Sequence, residues 1–159
     1  MSAKKMTAGR RTWILGRIPT LEDRIVERRA RISSLEDDIE TMRTQRNAIE
    51  AILHNGSYLP AASKLRNINC PVFGLGNQGF RGANRGIFDT QVGIMAGALE
   101  SQQDSHWDNI DTIDAAITTR EGTVTTLKEN NTNNTTEIAN LKTDWREGNE
   151  GMNFPHYIA

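Results

Sequence analysis

A single cysteine, Cys70, is all the thiol chemistry in this chain. One cysteine excludes an internal disulfide framework and a cysteine-cluster zinc site; Cys70 reads as a small buried or interfacial side chain. Aromatic residues are scarce at 6%, and apolar residues reach only 36% of the 159. That is thin for a compact core but ordinary for long helices that bury one narrow stripe. Long hydrophobic runs are missing too. Nothing approaches the roughly 20 apolar residues that span a bilayer. The first 17 residues gather only Trp13-Ile14-Leu15, short of the roughly 7 or more apolar residues of a secretory signal. No membrane partner is expected, and no export by that route.

What is present is a heptad pattern kept in step over most of the chain. Spacings of three and four alternate through Ile18, Leu21, Ile25, Arg28, Ile32, Leu35, Ile39, Met42, Arg46, Ile49 and Leu53. A second run passes from Val92 through Ala96, Leu99, Gln103, His106, Ile110, Ile113, Ile117, Arg120, Val124, Leu127, Asn131, Asn134, Ile138 and Leu141 to Trp145. A 3.5-residue repeat sustained this long is the signature of a coiled coil. The fold class read from it is all-α: two long heptad-patterned helices, about 20–54 and 89–146, joined by a Gly-rich connector, either as a coiled-coil oligomer or as a helical hairpin.

Local signals set the expected boundaries. Residues 1–19 read as a basic N-terminal arm. Pro19 blocks helix from upstream, and Thr20 with Asp23 makes a capping-box-like start. Asn55-Gly56 is a stop signal. The connector, 55–88, contains Pro60, Pro71 and glycines 74, 76, 79, 82 and 86, which forbid a long helix there. Asp89 is a competent N-cap for the second helix, and residues 147–159 read as a non-helical tail. Within that helix, Asn130 to Thr136 has poor helix propensity, yet the heptad phase passes through it unbroken. Helix is the expectation; a turn at Asn130–Asn134 is the alternative.

Charge adds a second pattern. Residues 1–86 hold 15 Lys/Arg against 8 Asp/Glu, and residues 87–159 hold 4 against 12, under a net charge of −1. Such a split can drive antiparallel folding of one half on the other or contact between subunits. The arm's Lys4, Lys5, Arg10, Arg11 and Arg17 read as unopposed, but without interleaved aromatics nucleic acid is not the expected partner. Arg28 and Arg46 interrupt the apolar stripe, and each must lie at its edge or meet an acid of the second half.

Catalytic signals are weak. Asp104, Asp108, Asp111 and Asp114 line one side of the second helix and read as a solvated acidic face. His54, His106 and His156 lack an i, i+4 pair for a metal. The Gly-rich segment Phe73 to Phe88 lacks the Gly-Lys-Ser/Thr ending of a phosphate loop. No enzyme, metal or cofactor is expected. The predicted sites are interfaces instead. Ile110, Ile113, Ile117, Val124, Leu127, Asn131, Asn134, Ile138 and Leu141 form an oligomer seam, trimer ahead of dimer because of the Ile110/Ile113 pair and the Asn layers, with the intramolecular hairpin as rival. Arg10, Arg11, Trp13, Phe73, Phe80, Arg81, Arg85 and Phe88 form an anchoring surface, since aromatics and arginines dominate interface hot spots.

Two families share parts of this pattern. The stretch Leu127–Trp145, with Asn at successive seam positions among Thr and Asn, resembles the stalks of phage fibres and fibritin-type whiskers. That resemblance implies a virion-associated fibre, collar or connector joined to a larger protein assembly. Phe80-Arg81-Gly82 followed by Phe88-Asp89 resembles the W-x-G turn of small helical-hairpin proteins of Gram-positive type VII secretion, with Phe80 in place of Trp. It implies a cytoplasmic adaptor for a secreted effector, exported without a secretory signal peptide.

Overall fold

The computed structural model describes residues 6–54, 60–61, 64, 83–149 and 153–155, with 83–85 described by backbone alone. The fold is all-α, a helical hairpin of two long helices with no strand among the described residues. Helix α1 runs Ala8–His54 over 47 residues, and helix α2 runs Ala83–Gly148 over 66. No helix among the described residues is long and apolar enough to cross a membrane.

Helix α1 begins well before the expected start, and Pro19 lies inside it. Two local causes account for this. Thr7 caps the helix, its Oγ1 accepting from the Arg10 amide at 3.3 Å and its carbonyl from the Arg11 amide at 3.1 Å. The apolar stripe also continues upstream of Ile18 to Ile14, and both side chains are fully buried. Proline removes one i→i−4 hydrogen bond, a loss that burial of two isoleucines offsets. Residues 8–19 are therefore helix and not an arm. Thr20 is no cap either, because its hydroxyl donates back to the Gly16 carbonyl at 2.8 Å.

Helix α2 likewise starts earlier than Asp89, at Ala83. It passes through Asn130–Thr136 without a turn. The hydroxyls of Thr132, Thr135 and Thr136 donate to the carbonyls of Lys128, Asn131 and Thr132 at 2.8–3.1 Å. Threonine satisfied this way stops competing for backbone partners elsewhere, so a low-propensity run stays helical while seam burial supplies the free energy.

The chain divides into two compact units. One combines α1 up to Ile39 with α2 from Thr119. Its ion pairs join early α1 to late α2 and late α1 to earlier α2: Arg10–Asp144, Arg17–Glu137, Glu22–Lys142 and Glu36–Lys128. The pairing is antiparallel. Its core is Ile14, Ile18, Leu21, Ile25, Ile138 and Leu141, with Met6, Trp145 and Phe154 packed on it. The other unit is Glu40–Thr118. There Arg46 bonds Asp114 and the His54 ring meets Trp107 edge-on at 5.8 Å, again antiparallel.

Candidate functional site

Both helices contribute buried apolar residues on a heptad stripe, up to Ile39 on α1 and from Val92 to Leu141 on α2. On α1, Ile14, Ile18, Leu21, Ile25, Ile32 and Ile39 are buried; on α2, Val92, Ala96, Ile110, Ile117, Val124, Ile138 and Leu141. Every one of these falls on the 3.5-residue stripe. Leu127, Asn131, Asn134 and Ile113 on the same stripe are half-buried. Ile138 and Leu141 join the α1 cluster, and Ile110 and Ile117 flank Asp114, the partner of Arg46. The basic α1 and the acidic α2 attract each other in antiparallel register.

Electrostatics reinforce that register. Arg17 Nε and Nη2 donate to the two Glu137 carboxylate oxygens at 2.8 and 3.1 Å. The bidentate bond raises the Arg17 pKa and lowers that of Glu137 from their ordinary values, burial opposing both shifts. Arg10 bonds Asp144 at 2.8 Å and stacks over the half-exposed Trp13 ring at 4.5 Å. Arg10 and Arg17 are therefore opposed by acids of α2, unlike the free basic arm expected from the sequence.

One end of the first unit is closed by contacts that the heptads did not reveal. The Met6 amide donates to the Gly148 carbonyl at 3.2 Å. Asn149, 6% exposed, donates from Nδ2 to the Trp145 carbonyl at 2.9 Å, satisfying a terminal carbonyl of α2. Phe154 packs edge-on against Trp145 at 5.4 Å. A Cβ on Gly148 would lie 2.7 Å from Met6 Cβ, so this approach requires glycine. The sequence marks each side of this end, since the stripe steps back from Ile18 to Ile14 and Gly148-Asn149 is a helix-ending pair, but not that the two sides meet.

Of the expected anchoring residues, Arg10, Arg11 and Trp13 lie in the first turns of α1 and Phe88 near the start of α2. Phe73, Phe80 and Arg81 lie outside the described residues, as do Cys70 and His156, and Arg85 is described by backbone only. Asp104, Asp108 and Asp111 are exposed, and no group of three or more His, Cys, Asp or Glu among the described residues is placed to hold a metal ion.

Six buried side-chain polar atoms among the described residues lack a hydrogen-bond partner: Arg11 Nε, Arg28 Nη1, Gln103 Oε1, Asn131 Oδ1, Asn134 Nδ2 and Trp145 Nε1. All six belong to stripe positions or to the stripe's upstream extension at residue 11. The apolar stripe is thus interrupted by polar residues that each keep one buried atom without a protein partner. Large apolar side chains also stand outside the seam, with Val26, Ile87, Ile94 and Met95 each more than half exposed. No protein-family model, curated protein or solved structure matches this chain.

Proposed function

We propose that the chain is a non-enzymatic assembly protein, a coiled-coil component of a virion such as a fibre, collar or connector. The observation that carries this reading is the organisation of burial into one two-stranded seam with polar layers at Arg28, Asn131 and Asn134. Such layers set register at a cost in stability, which suits a part whose task is to hold geometry within a larger particle. Self-association belongs to the proposal. With Ile138 and Leu141 packed against α1, apolar side chains outside the seam are open to it, and Ile87 and Ile94 stand two turns apart on α2.

Two groups of residues are proposed to anchor the chain: Arg10, Arg11 and Trp13 at the start of α1, and Phe73, Phe80, Arg81, Arg85 and Phe88 at or before the start of α2. Replacing Phe80 and Phe88 by Ala is expected to leave helix content nearly intact and abolish incorporation into purified particles. Normal incorporation would refute the anchoring role. Absence of the wild-type chain from particles would refute the virion reading itself.

The antiparallel pairing of α1 and α2 favours one second reading, a helical-hairpin adaptor of type VII secretion. It requires a stable one-to-one complex with the helical N-terminal region of an effector encoded nearby. Co-expression yielding only self-associated chain would exclude it.

A further inference from the structure

Every part of Met6 is used in closing one end of the first unit. Its amide donates to the Gly148 carbonyl at 3.2 Å, and its own carbonyl accepts from Arg11 Nη2 at 3.4 Å. Its Cβ and Cε lie 2.7 and 2.9 Å from the point where a Cβ on Gly148 would stand. Its Sδ accepts from Asn149 Nδ2 at 3.9 Å, a contact between residues 143 apart in the chain. The side chain also packs on the apolar cluster that contains Ile14, Ile138 and Leu141.

The sulfur contact is the weak point of this closure. Asn149 is 6% exposed, and its Nδ2 already donates to the Trp145 carbonyl at 2.9 Å. Its second amide proton has a thioether for acceptor, and thioethers accept poorly. Met6 itself is half-buried, which leaves its side chain open to a small oxidant from solvent. Reactivity and tight packing thus meet in one residue.

We propose that Met6 is an oxidation site, and that its conversion to the sulfoxide by a hydroperoxide releases this end of the unit. The thioether sulfur attacks one peroxide oxygen as the O–O bond breaks. An S–O bond forms, the other oxygen leaves with the spare proton as water or alcohol, and the two electrons lost by sulfur reduce the peroxide. The product turns a flexible apolar side chain into a polar, chiral one. An oxygen directed at Asn149 must fit into a gap that the sulfur and nitrogen already span at 3.9 Å. Directed the other way, it enters the apolar cluster without a partner, which is costly. Either position separates Met6 from Gly148 and Asn149. Met42 and Met95 belong to the other unit, and Met95 is 54% exposed, so oxygen added there stands in water at little cost. The site is independent of the particle in which the chain serves.

The test uses the full chain with hydrogen peroxide. Peptide mass spectrometry reads oxidation at each methionine, and hydrogen exchange reads the amides of 8–14 and 145–149. With Met6 oxidised, protection of both segments should fall about tenfold, the scale of one buried polar group left unpaired, while the amides of 21–32 keep theirs. Methionine sulfoxide reductases acting on both epimers should restore it. Comparing wild type before and after peroxide needs no variant. In Met6→Leu, which keeps the apolar volume and retains every other methionine, peroxide should change nothing at these segments. Full oxidation of Met6 with unchanged or raised protection, a Met6 that resists peroxide while Met95 reacts, or an equal loss in Met6→Leu would each overturn the proposal.

Discussion

Leu21 and Val26 lie on the same helix five residues apart, and truncating each to Ala should move stability in opposite directions. Leu21 is fully buried among Ile18, Ile25, Ile138 and Leu141. Burying a leucine side chain stabilises by about 1.5–3 kcal/mol, and removing one from a packed core costs about 2–5 kcal/mol once the cavity is included. A seam between only two helices can close partly over the gap, which places Leu21→Ala at the lower end, about 2–3 kcal/mol. Val26 is 65% exposed, so Val26→Ala loses little burial and gains about 0.5 kcal/mol of helix propensity. Urea unfolding followed by far-UV circular dichroism measures both. The expected outcome is a clear fall in midpoint for Leu21→Ala and an unchanged or slightly raised midpoint for Val26→Ala, with equal denaturant slopes. Similar effects at the two sites would refute the assignment of the stripe to burial.

Three further outcomes follow from named contacts. Glu137 titrates below the ordinary glutamate range because Arg17 hydrogen-bonds its carboxylate; a lowered folded-state pKa means stability present above the unfolded value and lost as pH falls through the folded one. The wild-type unfolding midpoint should therefore decline on acidification from about pH 5, and Glu137→Gln should flatten that decline. Gly148→Ala places a Cβ 2.7 Å from Met6 Cβ and 2.9 Å from Met6 Cε, an overpacking expected to cost about 1–3 kcal/mol in urea unfolding; the penalty should shrink in a Met6→Gly background. Thr7→Ala removes the acceptor of the Arg10 amide and should cost about 1 kcal/mol, whereas Thr20→Ala, which removes only a hydroxyl bonded to Gly16, should leave stability nearly unchanged.

How far the sequence could be read depended on the range of the signal. The seam was legible because a 3.5-residue repeat reports which side of a helix is buried, and every buried apolar residue from Ile18 onward on both helices falls on the stripe. The partner of Arg46 was legible in kind, since an arginine on an apolar stripe needs an acid, and Asp114 supplies it. The start of α1 was not legible at Pro19. A proline's cost is local and visible, whereas the burial of Ile14 and Ile18 that outweighs it is tertiary. The choice between pairing within and between chains was also left open, because an identical stripe serves either. The closed end at Met6, Gly148 and Phe154 joins residues too far apart in the chain for any periodic signal to connect.

The most direct test of this fold is a distance between spin labels at positions 36 and 128, whose native side chains form a 2.8 Å ion pair. Cys70 is first replaced by Ser so that only the two introduced cysteines carry labels. Helices packed in an antiparallel seam lie about 8–10 Å apart. A single short distance is expected, and mixing with excess unlabelled chain should leave it unchanged. A distance that disappears on dilution with unlabelled chain, or a long one within the chain, would contradict the intramolecular hairpin.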